Sequence, residues 1–489
     1  MQFSQILWQP VVIVVLLMGS SLLIWLAGEK RQQFAAVWTV AALSAALAIA
    51  ASMSDWVLTG HVRVVTYSVL PPLGLSFRID MLSIALLVLF LGLGILLALY
   101  VVAFPLGENA RSFRAVFLFV LASAVGVVMA GDLLSFFLFF EAMSLSFFIL
   151  VIHNRSREAA AATFKYLYMA IGGSVLYFIA LASVYFQSGS FAWRDGGFMQ
   201  AGPYSALAFV GFMVAFGIKS GLFPLHLWMA DAYGQAPAPA VALSSMIMLK
   251  TGAYGMIRIF HHVFGAELIR QAQWDQVVIA LSLITILYGS FCAFSENDLM
   301  RRLAYSGMAQ LGYIILGISL LTADAFTGGV YHVLAHAAMK GTLLLCAGII
   351  IMKTGKRKIS ELKGIGWQIP VTMSCFAIAS LTAVGLPPMN IFISKWYLSL
   401  GALALDRPVL ILVLLASSVL NAAYYLPIVI SAFFGESNRD MHAALSWDRV
   451  PLAMSIPTVL LAIGCFVFNA ASVNPALKWV QNITAVFFQ

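Results

Sequence analysis

Charge is scarce in this chain. Of its 489 residues 9% are Asp, Glu, Lys or Arg, where an ordinary soluble domain carries about 25%, so there are too few to coat a water-soluble fold. Cysteine is scarcer still. The four, Cys292, Cys346, Cys375 and Cys465, lie far apart inside apolar runs, with no CxxC pair and no Cys/His metal spacing. That leaves them as packing residues. Also missing are a Walker loop, a GxGxxG turn behind a strand, a haem or iron–sulfur pattern and a nucleophile motif. The chain is therefore expected to hold no redox cofactor and no metal, and to hydrolyse nothing. No polar stretch is long enough to fold by itself. The net charge of +8 comes from basic residues in short loops, so it signals topology rather than nucleic-acid binding.

Apolar residues dominate what is present. They make up 62% of the chain and form several runs longer than 18 residues, the length that crosses a bilayer as helix. The expected fold is all-α, one polytopic transmembrane domain over residues 1–489. Fourteen spans are expected, near 9–28, 34–54, 79–104, 115–130, 133–152, 166–188, 204–230, 239–263, 275–295, 303–322, 326–352, 368–402, 408–434 and 450–472. The first run has no basic region ahead of it and no small-residue cleavage site, so it reads as a span rather than a signal peptide. The seventh and twelfth spans are too long for one straight crossing. Each is interrupted, at Gly221 to Pro224 and at Gly385-Leu386-Pro387-Pro388, because proline removes a backbone donor and opens a helix. Helices broken inside protein mark ion and substrate sites in transporters. The breaks lie five spans apart, which suggests two related five-helix repeats, 115–263 and 275–434.

Loop charges set the orientation. With the N-terminus outside, sixteen of the 27 Lys and Arg residues fall in inside loops and seven in outside loops or ends. The basic excess belongs on the cytoplasmic side. Both termini are therefore expected on the outer, periplasmic face of a bacterial-type inner membrane, with the basic loop 353–364 in the cytoplasm.

The remaining four, Lys219, Lys250, Lys340 and Lys395, lie within spans. A lysine at the bilayer centre costs about 2.5–3.5 kcal/mol on insertion scales, so each needs partners. Glu141 is the one acid deep in a span. Lys219 lies at similar depth, and an ion pair between them is expected. Opening and closing that pair would change the lysine's hold on its proton. His332, His336 and Lys340 follow one another at i, i+4 and i+8, so they share one helix face with a drift of about 40° per step. Lone histidines in apolar helices are commonly structural; two on one stripe with a lysine favour a proton or water path. Lys395 follows the second break. It either snorkels toward an interface or ends that path, and the break favours the second. His226 follows the first break and would open the path to one side. Asp132 and Asp80 stand at helix starts, where capping is a sufficient explanation. Asp231 and Arg258 sit near helix ends and read as structural.

These residues sit in segments that resemble a known family. The segments are FFEAMSLSFF, GIKSGLFPLHLWMADAYGQAPAPA, LKTGAYGMIR, ENDLMRRLAYSGMAQLGYIILG, HVLAHAAMKGTLLLCAG and GLPPMNIFISKWYL. In this order they resemble the antiporter-like subunits shared by Mrp-type multisubunit cation/proton antiporters, respiratory complex I and membrane-bound hydrogenases. The resemblance implies fourteen helices, inverted five-helix repeats with broken helices 7 and 12, and a hydrated polar axis at mid-membrane. It implies that Glu141 and Lys219 form a modulating pair, that Lys250, His332 and His336 line the axis, and that Lys395 is its terminal gate. His226, Lys340 and Asp132 are secondary candidates.

The expected function is proton or cation translocation within a multisubunit complex, most like the D-type subunit of a Na+/H+ antiporter. The alternative is a proton-pumping membrane subunit of an NADH–quinone oxidoreductase, complex I-like, or of a membrane-bound hydrogenase. A stand-alone solute transporter, and a scaffold whose buried charges only fix packing, are the other readings. The expected partners are other membrane subunits, protons, Na+ in the antiporter case and the lipid bilayer, with no nucleic acid.

Overall fold

The structure is a computed structural model that describes residues 8–28, 31–58, 61–70, 73–435, 448–467 and 474–488. Residues 468–472 of the last expected span lie outside these. Helices dominate, as so apolar a chain requires: in a bilayer each backbone donor must be satisfied within its own segment. The chain begins with α1 (Gln9–Leu26), α2 (Gln32–Ser52) and the short α3 (Ser54–Leu58). A β-hairpin follows, β1 (Arg63–Leu70) and β2 (Leu73–Ile79). Next come α4 (Met81–Ala103), α5 (Ala110–Met129), α6 (Leu133–Val151) and α7 (Arg157–Ser188). The seventh expected span is two pieces, α8 (Pro203–Ser220) and α9 (Met229–Gln235). The eighth is α10 (Ala238–Leu243), α11 (Leu249–Ile259) and α12 (Gly265–Gln271), joined by π-helical turns at Ser244–Met248 and Phe260–Phe264. Then come α13 (Trp274–Ser295), α14 (Leu299–Ser319) and α15 (Ala323–Thr354). The twelfth span is again two pieces, α16 (Pro370–Val384) and α17 (Asn390–Leu403), followed by α18 (Val409–Phe434), α19 (Leu452–Val467) and α20 (Pro475–Phe487). Among the described residues eleven helices are long and apolar enough to cross a membrane. The chain is a multi-pass membrane protein.

Two features depart from an all-helical expectation or add to it. The hairpin pairs Arg63 with Ile79 through to Leu70 with Leu73, antiparallel. Its strands are rich in Val, Thr and aromatic residues, which suit a pleated surface. The helix α20 starts at Pro475, behind an Asn474 cap that accepts from the Leu477 amide.

The backbone packs as two compact units. The first holds residues 1–101, 105–219 and 254–272. In it α5 lies against α1 and α6, and α6 against α7. The hairpin is tied to the start of α6, where the Ser76 amide donates to Ser135 Oγ at 2.8 Å. Large apolar side chains such as Phe186, 76% exposed on α7, face outward, as suits lipid.

The second unit holds residues 102–104, 220–253 and 273–489. Its centre is α15, which touches α10, α14, α16, α17, α19 and α20 and is buried almost throughout. Small residues allow those close approaches. A Cβ on Gly328 would stand 2.8 Å from Ser394 O and Leu398 N, so glycine there is what lets α17 press against α15.

Candidate functional site

Glu141, Ser174, Tyr166 and Lys219 cluster in the first unit. Glu141 is half-buried on α6 and accepts from Ser174 Oγ on α7 at 2.5 Å. Lys219 is buried in the last turn of α8, where helix carbonyls favour a cation. Its Nζ donates to Tyr166 Oη at 3.0 Å, and Tyr166 passes the bond on to Ser144 O at 2.8 Å. The rings of Phe140 and Tyr166 stand 5.4 and 5.3 Å from the ammonium. The expected Glu141–Lys219 contact is therefore not made. The two charges interact through space, but a hydroxyl holds each of them: the pair is open, because tyrosine and serine satisfy groups that would otherwise need one another.

The second unit holds the other candidates. Lys250 is buried at the start of α11, and its Nζ reaches back to Ser245 O, a carbonyl inside the π-helical turn that precedes it. On its other side lies His336 Nδ1 at 2.8 Å. An ammonium has no acceptor site, so a charged Lys250 requires Nδ1 to be bare. After transfer the imidazole carries the proton and the amine accepts. The rings of His336 and His332 are stacked, 6.0 Å apart. His332 Nδ1 meets Ser394 Oγ at 2.8 Å, and its Nε2 meets Gln310 Oε1 at 3.0 Å. Ser394 is followed directly by Lys395.

Lys395 lies beyond the second break. Its Nζ donates to Val384 O at 2.9 Å and to Ser418 Oγ at 2.7 Å, with the Tyr313 ring 5.1 Å away. Val384 ends α16, so the ammonium caps the negative end of a half-helix. A recess of about 380 Å³ opens beside it, lined by Lys395, Ser418, Trp396 and apolar side chains of α17 and α18. Lys340 is wholly buried; it bonds Leu303 O at 2.8 Å, Ser306 Oγ and Tyr425 Oη. Lys250, Lys340 and Lys395 thus each hold a main-chain carbonyl plus a side-chain partner, which is how a cation far from water is tolerated.

The secondary candidates divide. His226 is buried between the rings of Phe223 and Tyr288, 5.7 and 5.1 Å away. Asp132 caps α6, accepting from the Ser135 amide at 2.6 Å. Asp231 pairs with Arg301 at 2.8 Å. Among the described residues no group of three His, Cys, Asp or Glu converges to hold a metal.

Sequence reasoning missed the second wall of this line. On α14, Ser306, Gln310 and Tyr313 face Lys340 and His332. Their spacing of four and three is a helix stripe, a signal present in YSGMAQLGY but hidden by its apolar neighbours. Reasoning also missed the size of a charge network in the first unit. Arg258, 0% exposed, grips both oxygens of Asp80 at 2.7 and 2.8 Å. Arg78 joins Asp80 to Asp195, at 3.0 and 2.8 Å, and His262 reaches Asp195 at 3.2 Å. Asp80 is also a cap, accepting from the Ser83 amide at 2.9 Å.

As chemistry, the second unit offers groups that can each hold one proton, with hydroxyls and an amide between them. Such a set can pass protons.

Residues 130–421 match the family described as NADH:quinone oxidoreductase/Mrp antiporter, TM. A curated relative, the NADH-quinone oxidoreductase N subunit of Desulforudis audaxviator, is 34% identical over 428 residues, covering 84% of this chain and 85% of the relative. The D-type Na(+)/H(+) antiporter subunit of Alkalihalophilus pseudofirmus is 28% identical over 400 residues, 80% of each chain. Among solved structures, a chain of the Mrp complex from a Dietzia species superposes with a TM-score of 0.89 at 23% identity. The match covers 99% of this chain and 97% of that one. At that identity the likeness speaks of fold alone.

Proposed function

The chain belongs to the NADH:quinone oxidoreductase/Mrp antiporter family of membrane subunits, and on that premise we propose that it is a proton-pumping subunit of a redox-driven, complex I-like assembly. As a family member it is a proton- or cation-translocating membrane subunit of a multisubunit complex. The observation that carries proton translocation in either assembly is the line from Lys250 through His336 and His332 to Ser394, with Lys395 next in the chain, whose polar contacts at Lys250 and at Ser394 are each 2.8 Å. In this reading Glu141 and Lys219 modulate the path, Lys250 and the two histidines carry the proton, and Lys395 releases it. Lys340 is a side station held by Ser306 and Tyr425. The interrupted helices α8–α9 and α16–α17 support two related repeats, and the loop charges support both termini on the outer face.

The second reading is the D-type subunit of a cation/proton antiporter, first in expectation from the sequence. It keeps the same residues and has the 28% likeness in its favour. The 34% likeness to an oxidoreductase N subunit favours the redox-driven assembly.

The test uses vesicles holding the whole native complex. Proton movement is followed with an electron donor and, separately, with a Na+ gradient. Donor-driven pumping is expected, lost in Lys219→Ala and Lys250→Ala at equal assembled levels. Movement driven by Na+ without a donor would turn the assignment to the antiporter. Normal transport in both variants would make the lysines structural.

A further inference from the structure

His332 is wholly buried with a different partner on each ring nitrogen: Ser394 Oγ on Nδ1 and Gln310 Oε1 on Nε2. His336 gives its Nδ1 to Lys250, and its Nε2 has no hydrogen-bond partner among the described residues. Each histidine thus spends Nδ1 on the outer members of the line. A proton passing between the two rings must use the remaining nitrogens, Nε2 of His336 and Nε2 of His332. The second of these is the one that Gln310 occupies.

A neutral imidazole has one N–H and one bare nitrogen. While Gln310 presents Oε1, an acceptor, it holds His332 as the Nε2–H form, which cannot take a proton at that nitrogen. If the amide turns over, its NH2 donates to a bare Nε2 instead, and the ring's proton stands on Nδ1, facing Ser394. Ser394 suits either form, because its hydroxyl can accept from Nδ1–H while donating to Ile391 O at 2.8 Å, or donate to a bare Nδ1. The far end of the amide, Gln310 Nε2, has no hydrogen-bond partner among the described residues, so neither orientation is pinned by hydrogen bonds. Asn421 in the same unit is the contrast. Its Nδ2 donates to Ala383 O at 3.0 Å and its Oδ1 accepts from Tyr424, so that amide is held at both ends.

We propose that Gln310 is a positioning residue that selects the tautomer of His332 and thereby gates proton transfer between His336 and His332. The proposal rests on the reading of His332 as part of the proton path. With Nε2 bare and the amide NH2 swung off it, Lys250 gives a proton to His336 Nδ1 as His336 Nε2–H gives its own to His332 Nε2. The positive charge moves from the ammonium to His332, which then holds a proton on each nitrogen, and Lys250 is left as a neutral amine. His336 ends with one proton, on Nδ1, and Gln310 neither gains nor loses one.

The test compares Gln310→Glu, Gln310→Met and His332→Phe in the assembled complex, by proton flux in vesicles and by the 15N spectrum of labelled histidine. An ionised glutamate only accepts, so it should fix the Nε2–H form and cut flux about a hundredfold, the scale of a lost proton-transfer step. Methionine fills similar space without a strong acceptor. It should abolish the Nε2–H preference and leave flux close to wild type. A purely structural glutamine would not distinguish the two in this way. Normal flux in both variants, or equal losses with an unchanged spectrum, would overturn the proposal. If Gln310→Glu fails to assemble, the methionine spectrum decides alone: an unchanged tautomer preference overturns it. Normal flux in His332→Phe would instead remove the path reading on which the proposal rests.

Discussion

Lys250 Nζ lies 2.8 Å from His336 Nδ1, and both side chains are buried. The two share a site where one proton has two homes. On the proposed path each depends on the other, so Lys250→Ala and His336→Ala should each lower proton translocation about a hundredfold. The double variant should fall little further, since the two act as one unit. Initial rates in vesicles, normalised to assembled complex, check both statements.

Tyr166 takes from Lys219 the hydrogen bond that Glu141 was expected to take. Removing its hydroxyl leaves the ammonium one donor bond short inside protein, a cost of about 1–3 kcal/mol. In Tyr166→Phe the lysine is expected to close onto Glu141, and pumping should slow about tenfold, the effect of about 1.4 kcal/mol on a barrier. Ser174→Ala, which frees the carboxylate from the other side, should slow it in the same direction. Flux measurements, with the Glu141 carboxylate followed by difference infrared spectroscopy, test the pair.

Gly385 ends α16 with φ +84°, and a Cβ there would meet Lys395 Cδ at 3.0 Å and Nζ at 3.1 Å. Gly385→Ala should cost about 1–2 kcal/mol for the left-handed backbone and push the lysine off the Val384 carbonyl. Lower assembly and a loss of pumping larger than the loss of assembly are expected. Thermal unfolding in detergent and flux per assembled complex separate the two.

Arg258 would be left as an uncompensated buried charge without Asp80. Asp80→Asn should therefore destabilise the chain by about 3–5 kcal/mol, visible as a lower melting temperature and poor assembly.

The outer arm of that network responds to acid in a defined way. The hydrogen bond from His262 and the nearby Arg78 guanidinium hold the Asp195 carboxyl below the usual carboxylate range, against a smaller opposing effect of burial. A depressed carboxyl contributes stability that is present above its unfolded value, about 3.9, and lost only as pH falls through the lower folded value. The carboxylate side chain is 77% exposed, so the contribution is under about 1 kcal/mol. Melting temperatures of wild type and Asp195→Asn should therefore differ by a small constant amount from pH 8 to pH 5.

Legibility in the sequence followed contrast. Lysines and a glutamate inside apolar runs announce themselves, and Lys219, Lys250, His332, His336 and Lys395 could be picked out because a bilayer makes each costly. Prolines announced the interruptions after Ser220 and Val384. Partners were harder. Tyr166 looks like packing within an apolar helix, yet it takes the hydrogen bond expected of Glu141. Gln310 is one polar residue among small and apolar ones, and nothing local ties it to His332, 22 residues away. Arg258 and Asp80 are 178 residues apart, so each read alone as an end-of-helix charge. The hairpin was missed because period-two alternation over seven or eight residues is faint beside twenty-residue apolar runs.

The π-helical turn at Ser244–Met248 gives the lysine after it a particular setting. Such a turn is an α-helix with one residue too many, and each residue advances a helix by about 100°. The turn takes up the extra residue locally, and Lys250, two residues past it, reaches back to the Ser245 carbonyl inside it and across to His336. Deleting a single residue within that turn would leave every side chain of the line in place in the sequence and take from the lysine the wide turn whose carbonyl it holds. A change of length, one that no comparison of residue types at matching positions would register, is thus as capable of making or unmaking this site as a change of charge.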